Sequence, residues 1–174
     1  MKNALLCTTL FASCMLSLTG CGLLLGNMRP IEEKSTHYRI QSLSGEWALL
    51  TSITDNPGDQ ADLSFQSKTT GSIISINSAC RPGFESRPLE HFSTQILLGI
   101  SEIAERKNQP HPQQGLEGLE TTLMGQLGKK PVKIQTIVLR KGHCIYDLMY
   151  VAKPETFDLE HPVFTQFSNS LIPR

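Results

Sequence analysis

Three stretches of alternating apolar residues follow one another with almost nothing between them: residues 116–127, 132–140 and 144–151. Only Gly128-Lys129-Lys130-Pro131 and Lys141-Gly142, with His143 beside the second turn, separate them. Connections this short leave no room for a crossover, so the three are expected to lie antiparallel as a meander. Upstream, residues 61–68 and 72–78 form a second strand pair around Thr69-Thr70-Gly71. Within it Ile74 and Ile76 alternate with Ser75 and Asn77, as expected of a strand with one buried and one wetter face. A sixth strand, residues 46–50, follows Gly45 and carries Trp47, the only tryptophan, expected to anchor the core or the sheet edge. Asp55-Asn56-Pro57-Gly58-Asp59 then breaks the chain.

The period changes twice. Leu89, Phe92, Ile96, Ile100, Ile103 and Ala104 recur every three or four residues, which predicts an amphipathic helix running through Arg106. Residues 108–115 hold Pro110 and Pro112 and read as an exposed loop. Lys153-Pro154 ends the last strand, and Val163, Phe164, Phe167 and Leu171 share one face of a terminal helix. Three strands, a helix, three strands and a helix predict an α+β domain, an antiparallel sheet of about six strands covered by two main helices.

The N-terminus sets the address. Lys2 precedes an apolar run from Ala4 to Leu18, the layout of a secretory signal peptide. The run ends in Leu18-Thr19-Gly20-Cys21, and here the chain resembles bacterial lipoprotein precursors at all four positions of the lipobox. The resemblance implies cleavage between Gly20 and Cys21 and acylation of the Cys21 thiol. Each buried acyl methylene contributes about 0.8 kcal/mol, so two or three chains give a lasting attachment to the membrane. The competing reading is an uncleaved transmembrane helix, since Leu23-Leu24-Leu25 extends the apolar run towards the length of a span. Thr8, Thr9, Ser13, Ser17 and Thr19 dilute that run. The expected organisation is therefore signal peptide 1–20, a lipidated N-terminus and flexible tether 21–43, and one domain 44–174. Gly22 follows the lipidated cysteine where many enterobacterial inner-membrane lipoproteins carry Asp, so the resemblance favours the outer membrane, facing the periplasm.

Cysteine and charge narrow the chemistry. Of five cysteines, Cys7 and Cys14 leave with the signal peptide and Cys21 takes the lipid, which leaves Cys80 and Cys144. An even pair in an exported chain predicts a disulfide; the alternative is two separately buried thiols. No CxxC motif favours a redox role. The chain holds 16 acidic and 16 basic residues and so lacks the excess of positive charge that nucleic-acid binding requires.

No GxSxG, SxxK, HExxH or Gly-rich phosphate loop occurs. None of His37, His91, His111, His143 and His161 pairs with another at a short metal-ligand spacing, so neither a metal nor a cofactor is expected. His143 adjoins Cys144, yet neighbours on a strand point to opposite faces. Asp147 reads as a polar residue on the solvent face of its strand, and Glu117 and Glu120 as solvated positions. Lys129, Lys130, Lys133, Arg140 and Lys141 concentrate positive charge on one ribbon, where lysines commonly discourage edge-to-edge pairing.

The ending Cys144-Ile145-Tyr146-Asp147-Leu148-Met149-Tyr150-Val151-Ala152, followed by an acidic spacer and the Phe164 and Phe167 helix, resembles bacterial lipoproteins with a PsbP- or Mog1-like domain. Across residues 44–172 the order of strands and helices agrees with that fold. The resemblance implies a shape and an accessory role more than a chemistry. The expected function is a non-enzymatic binding or accessory module on the envelope, with an envelope protein as possible partner. The alternative is an envelope enzyme or small-ligand carrier with a site near His143, Tyr146 and Asp147.

Overall fold

Large apolar side chains at every second position of Cys144–Ala152 make this strand the middle of the sheet. In the computed structural model, which describes residues 37–50 and 61–174, the strands are β1 (Tyr38–Arg39), β2 (Trp47–Leu49), β3 (Leu63–Ser67), β4 (Ile73–Cys80), β5 (Ile100–Pro110), β6 (Glu117–Leu127), β7 (Lys130–Lys141), β8 (Cys144–Ala152) and β9 (Ile172–Pro173). The helices are α1 (Leu89–Ile96) and α2 (Phe157–Asn169). Seven strands form one sheet in the order β2-β3-β4-β8-β7-β6-β5, every pair antiparallel, and β1 pairs with β9 in a small second sheet. The expected α+β class holds, with seven strands in the main sheet where the sequence predicted about six.

Because side chains alternate across a strand, β8 feeds two cores. Tyr146, Leu148 and Tyr150 point to one side with Phe65, Ile74, Ile76 and Leu139, and there α2 lays down Phe157, Phe164 and Phe167. Phe65 meets Phe167 edge-on at 5.9 Å and Tyr150 stacks on Phe164 at 5.6 Å. The Tyr150 hydroxyl donates to the carbonyl of Phe157 at 2.9 Å, which satisfies the polar tip of a buried ring. On the other side Ile145, Val138 and Leu119 receive Leu89 and Phe92 of α1. The buried hydroxyls of Ser93 and Thr121 bond each other at 2.8 Å under that helix. Each fully buried large side chain contributes about 1.5–3 kcal/mol, so the two helices are held by their apolar faces.

Two expectations are corrected. The helix predicted through Arg106 ends at Ile96, and residues 100–110 form β5. Gly99, at φ 94°, turns the chain where an α-helix would have to continue. β6 then offers a backbone edge that residues 100–110 fill as an outer strand, almost wholly exposed. The helical spacing of Ile96, Ile100 and Ile103 was a coincidence of composition that strand pairing overrode. The polar loop starts later for the same reason, since 108–110 lie in β5.

The second correction concerns residues 38–40, placed in the flexible tether by the sequence. Tyr38 and Ile40 are buried in the α2-side core, and Tyr38 and Arg39 pair with Pro173 and Ile172. Gln41 adds a hydrogen bond from its amide to the Ser170 hydroxyl at 3.0 Å. Polar neighbours masked these two apolar residues, whose partners lie at the far end of the chain. The signal peptide, the cleavage site at Gly20 and Cys21, and the tether up to residue 36 lie outside the described residues.

Candidate functional site

Cys80 closes β4 and Cys144 opens β8, and the two are direct partners in the register of the ladder. Their sulfurs are bonded at 2.02 Å, with the Cα atoms 4.0 Å apart. The ligating atoms of His37, Cys80 and Cys144 lie within 4.8 Å of one another. The His37 carbonyl accepts hydrogen bonds from the Tyr146 hydroxyl at 3.2 Å and from the Arg174 amide at 2.8 Å. Tyr38 meets the Tyr146 ring edge-on. Burial raises both phenols above their ordinary range, and for Tyr38 the Asp62 carboxylate adds to the effect. These rings therefore stay neutral, Tyr146 acting through packing and its hydrogen bond to His37 and Tyr38 through packing. Nothing in the local sequence marked His37 as a neighbour of the cysteines.

The residues named for a catalytic or ligand-binding alternative do not converge. His143 is exposed in the turn between β7 and β8. Tyr146 is buried against the α2-side core, and Asp147 projects from the opposite face of the sheet. Adjacent positions on a strand dictate this separation.

Asp147 also departs from its expected place on a solvent face. Its Oδ1 is sealed from solvent without a hydrogen-bond partner among the described residues, and so is Oγ1 of Thr136 on the same face. Asp147 stands opposite Asn77 of β4 and Val138 of β7, neither of which ionises. Burial pushes its carboxyl from 3.8 up to about 7. The alternation of the strand showed which way the side chain points; it did not show that the second face is covered too.

The polar ribbon is similarly broken up by partners. Lys133 pairs with Asp158 at 3.3 Å and lies over the Phe157 ring. Arg140 pairs with Glu117 and donates to the carbonyls of Phe84 and Arg87 at 3.2 and 2.6 Å. Lys141 reaches the Pro173 carbonyl at 3.2 Å. Glu120, expected in solvent, is largely enclosed; it takes a hydrogen bond from Gln109 at 2.8 Å, and its other carboxylate oxygen lies 3.2 Å from Nδ1 of His111. It borders an open groove of about 500 Å³ shared with Glu105, Lys107, Thr122, Met124 and Lys133 on the α2 side.

A seven-stranded antiparallel sheet with α1 and α2 on opposite faces is a PsbP-like α+β fold. The solution structure of the cyanobacterial PsbP, CyanoP, from Synechocystis sp. PCC 6803 superposes with a TM-score of 0.54 at 12% identity, over 76% of this chain and 84% of that one. LpqN of Mycobacterium tuberculosis, described as involved in cell envelope biogenesis, superposes with a TM-score of 0.58 at 9% identity, over 78% of this chain and 82% of that one. At such identities the likeness is one of fold. No protein-family model and no curated protein sequence matches the chain.

Proposed function

We propose that this chain is a lipid-anchored bacterial envelope protein whose PsbP-like domain is a non-enzymatic binding or accessory module. The observation that carries the reading is the Cys80–Cys144 bond, which uses both thiols left once Cys21 is assigned to the lipid. A disulfide of this kind belongs with an oxidising compartment such as the periplasm. His143 in an exposed turn, Tyr146 in the core and Asp147 on the opposite face of the sheet share no site, which tells against the enzyme or small-ligand carrier built on them. A fold shared with LpqN, itself involved in cell envelope biogenesis, is in keeping with this address. The anchor lies in the outer membrane and the domain faces the periplasm, on the ground of Gly22 after Cys21.

Metabolic labelling with a clickable fatty acid, followed by membrane fractionation, tests the anchor. Label on the wild type that is lost in Cys21→Ala, recovered with the outer membrane, is expected. An unlabelled wild type, or equal labelling of Cys21→Ala, overturns it. In vivo crosslinking tests the accessory role against a control carrying only the lipidated N-terminus. Failure to capture any protein above that control sinks the binding reading without touching the anchor.

A further inference from the structure

We propose that β5 is the seam of a symmetric dimer, in which the strand pairs antiparallel with β5 of a second copy of this chain about a two-fold axis at Arg106. β5 ends the order of the main sheet, so one of its backbone edges has no partner strand among the described residues. Such an edge is a template for a further strand unless its side chains forbid it. Residues 101–108 are all exposed. Among them Glu105 and Lys107 stand opposite Met124 and Thr122 and face the groove on the α2 side. Neither has a hydrogen bond or an ion pair among the described residues.

A second copy is the occupant that this charge pattern selects. About a two-fold axis normal to the sheet, each face stays on its own side, and residue i meets residue j just as j meets i. With Arg106 on the axis, Glu105 of each copy stands opposite Lys107 of the other, and opposite charges directly across a ladder stabilise it. Moving the axis to Glu105 or to Lys107 sets like charges against each other. Lysines alone on an edge repel a second copy; an acidic and a basic residue two positions apart on one face attract it. On the α1 side the Arg106 guanidinium is drawn back onto its own chain, by Asn108 at 3.3 Å and Thr94 at 3.4 Å. This keeps the two arginines from meeting head-on. The seam is bounded at one end by the irregular pairing between Ser101 and Glu105, where Glu102 has φ 48°, and at the other by Pro110, which has no N–H to give. A ladder this short makes a weak dimer.

Sedimentation velocity of the purified full chain should show monomer and dimer in an equilibrium that shifts with concentration. Glu105→Lys or Lys107→Glu alone places like charges across the seam and should raise the dissociation constant about tenfold or more. The two together restore opposite pairs and should return it to that of the wild type. Directly opposed Cα atoms in an antiparallel pair lie about 4.5–5.5 Å apart, within the range a disulfide spans. Arg106→Cys should therefore crosslink to itself on mild oxidation, whereas Asn108→Cys, on the same face but away from the axis, should crosslink no more than the wild type. A wild type that stays monomeric up to about 1 mM overturns the seam, as do single reversals without effect. A double reversal that fails to recover, or Asn108→Cys crosslinking as readily as Arg106→Cys, overturns it equally.

Discussion

Tyr38 and Tyr146 meet edge to face, with ring centroids 6.2 Å apart and planes at 89°. The contact joins the first described strand to the centre of the sheet, and Tyr38 is only 4% exposed. Tyr38→Ala removes a buried aromatic ring and should cost about 3–5 kcal/mol. Urea denaturation of the wild type and the variant measures it. A loss under about 1 kcal/mol would mean that residues 37–40 are not part of the cooperative domain.

The Cys80–Cys144 bond spans a sequence separation of 64 residues. By the chain-entropy argument such a loop stabilises by about 4 kcal/mol, and measured effects usually fall short of that figure. Replacing both cysteines by alanine should lower stability by about 2–4 kcal/mol and leave a folded domain, because the β4–β8 ladder remains. Chemical denaturation gives the size and circular dichroism the fold. A variant unfolded in buffer would show that the ladder alone does not hold this end of the sheet.

Asp147 should make the protein less stable as pH rises. Below about pH 4 its carboxyl is protonated in both the folded and the unfolded chain and has no effect. Between 3.8 and about 7 the unfolded chain releases the proton and the folded chain keeps it. The folded state is therefore disfavoured progressively, and the full penalty is present above about pH 7. The size is about 2–4 kcal/mol. Asp147→Asn should be more stable than the wild type at pH 8 and nearly equal to it at pH 4. Parallel stability–pH curves for the two proteins would contradict the burial of this carboxyl.

Gly118 has no space for a side chain. A Cβ there would collide with the His111 carbonyl oxygen and lie 2.7 Å from a methyl of Leu139. The obstacle is backbone, and the same segment is tied to β6 by the His111 amide, which donates to the Gly118 carbonyl at 2.8 Å. Gly118→Ala should destabilise by about 1–3 kcal/mol and lower the melting temperature by several degrees. An unchanged melting curve would contradict this close packing of residue 111 against β6.

The elements with strong local signals were legible in advance. Ile74 and Ile76 against Ser75 and Asn77, the short turns around Gly128 and Gly142, and the Phe164 and Phe167 spacing each identified a real strand pair or helix. Elements stabilised by distant partners were not. β1 is two residues long and depends on Ile172 and Pro173, and β5 is a polar outer strand whose spacing imitates a helix. The site divides in the same way. Subtraction of the leader and lipid cysteines left Cys80 and Cys144 as a pair, whereas His37 reaches them only through the folding of β1 against the core. Asp147 carries no local sign that its second face is covered, because that cover comes from other strands and α1.

The pairing of β1 with β9 also decides what the rest of the surface is free to do. The Arg174 amide donates to the carbonyl of His37, so the described domain starts and finishes at one doorway. A fluorescent protein or affinity handle joined after Arg174 would hang beside that doorway. The opposite rim, where β6 turns into β7 around Lys129, would stay unobstructed. Labels on this protein can thus be carried at the C-terminal side while that rim is left available for docking.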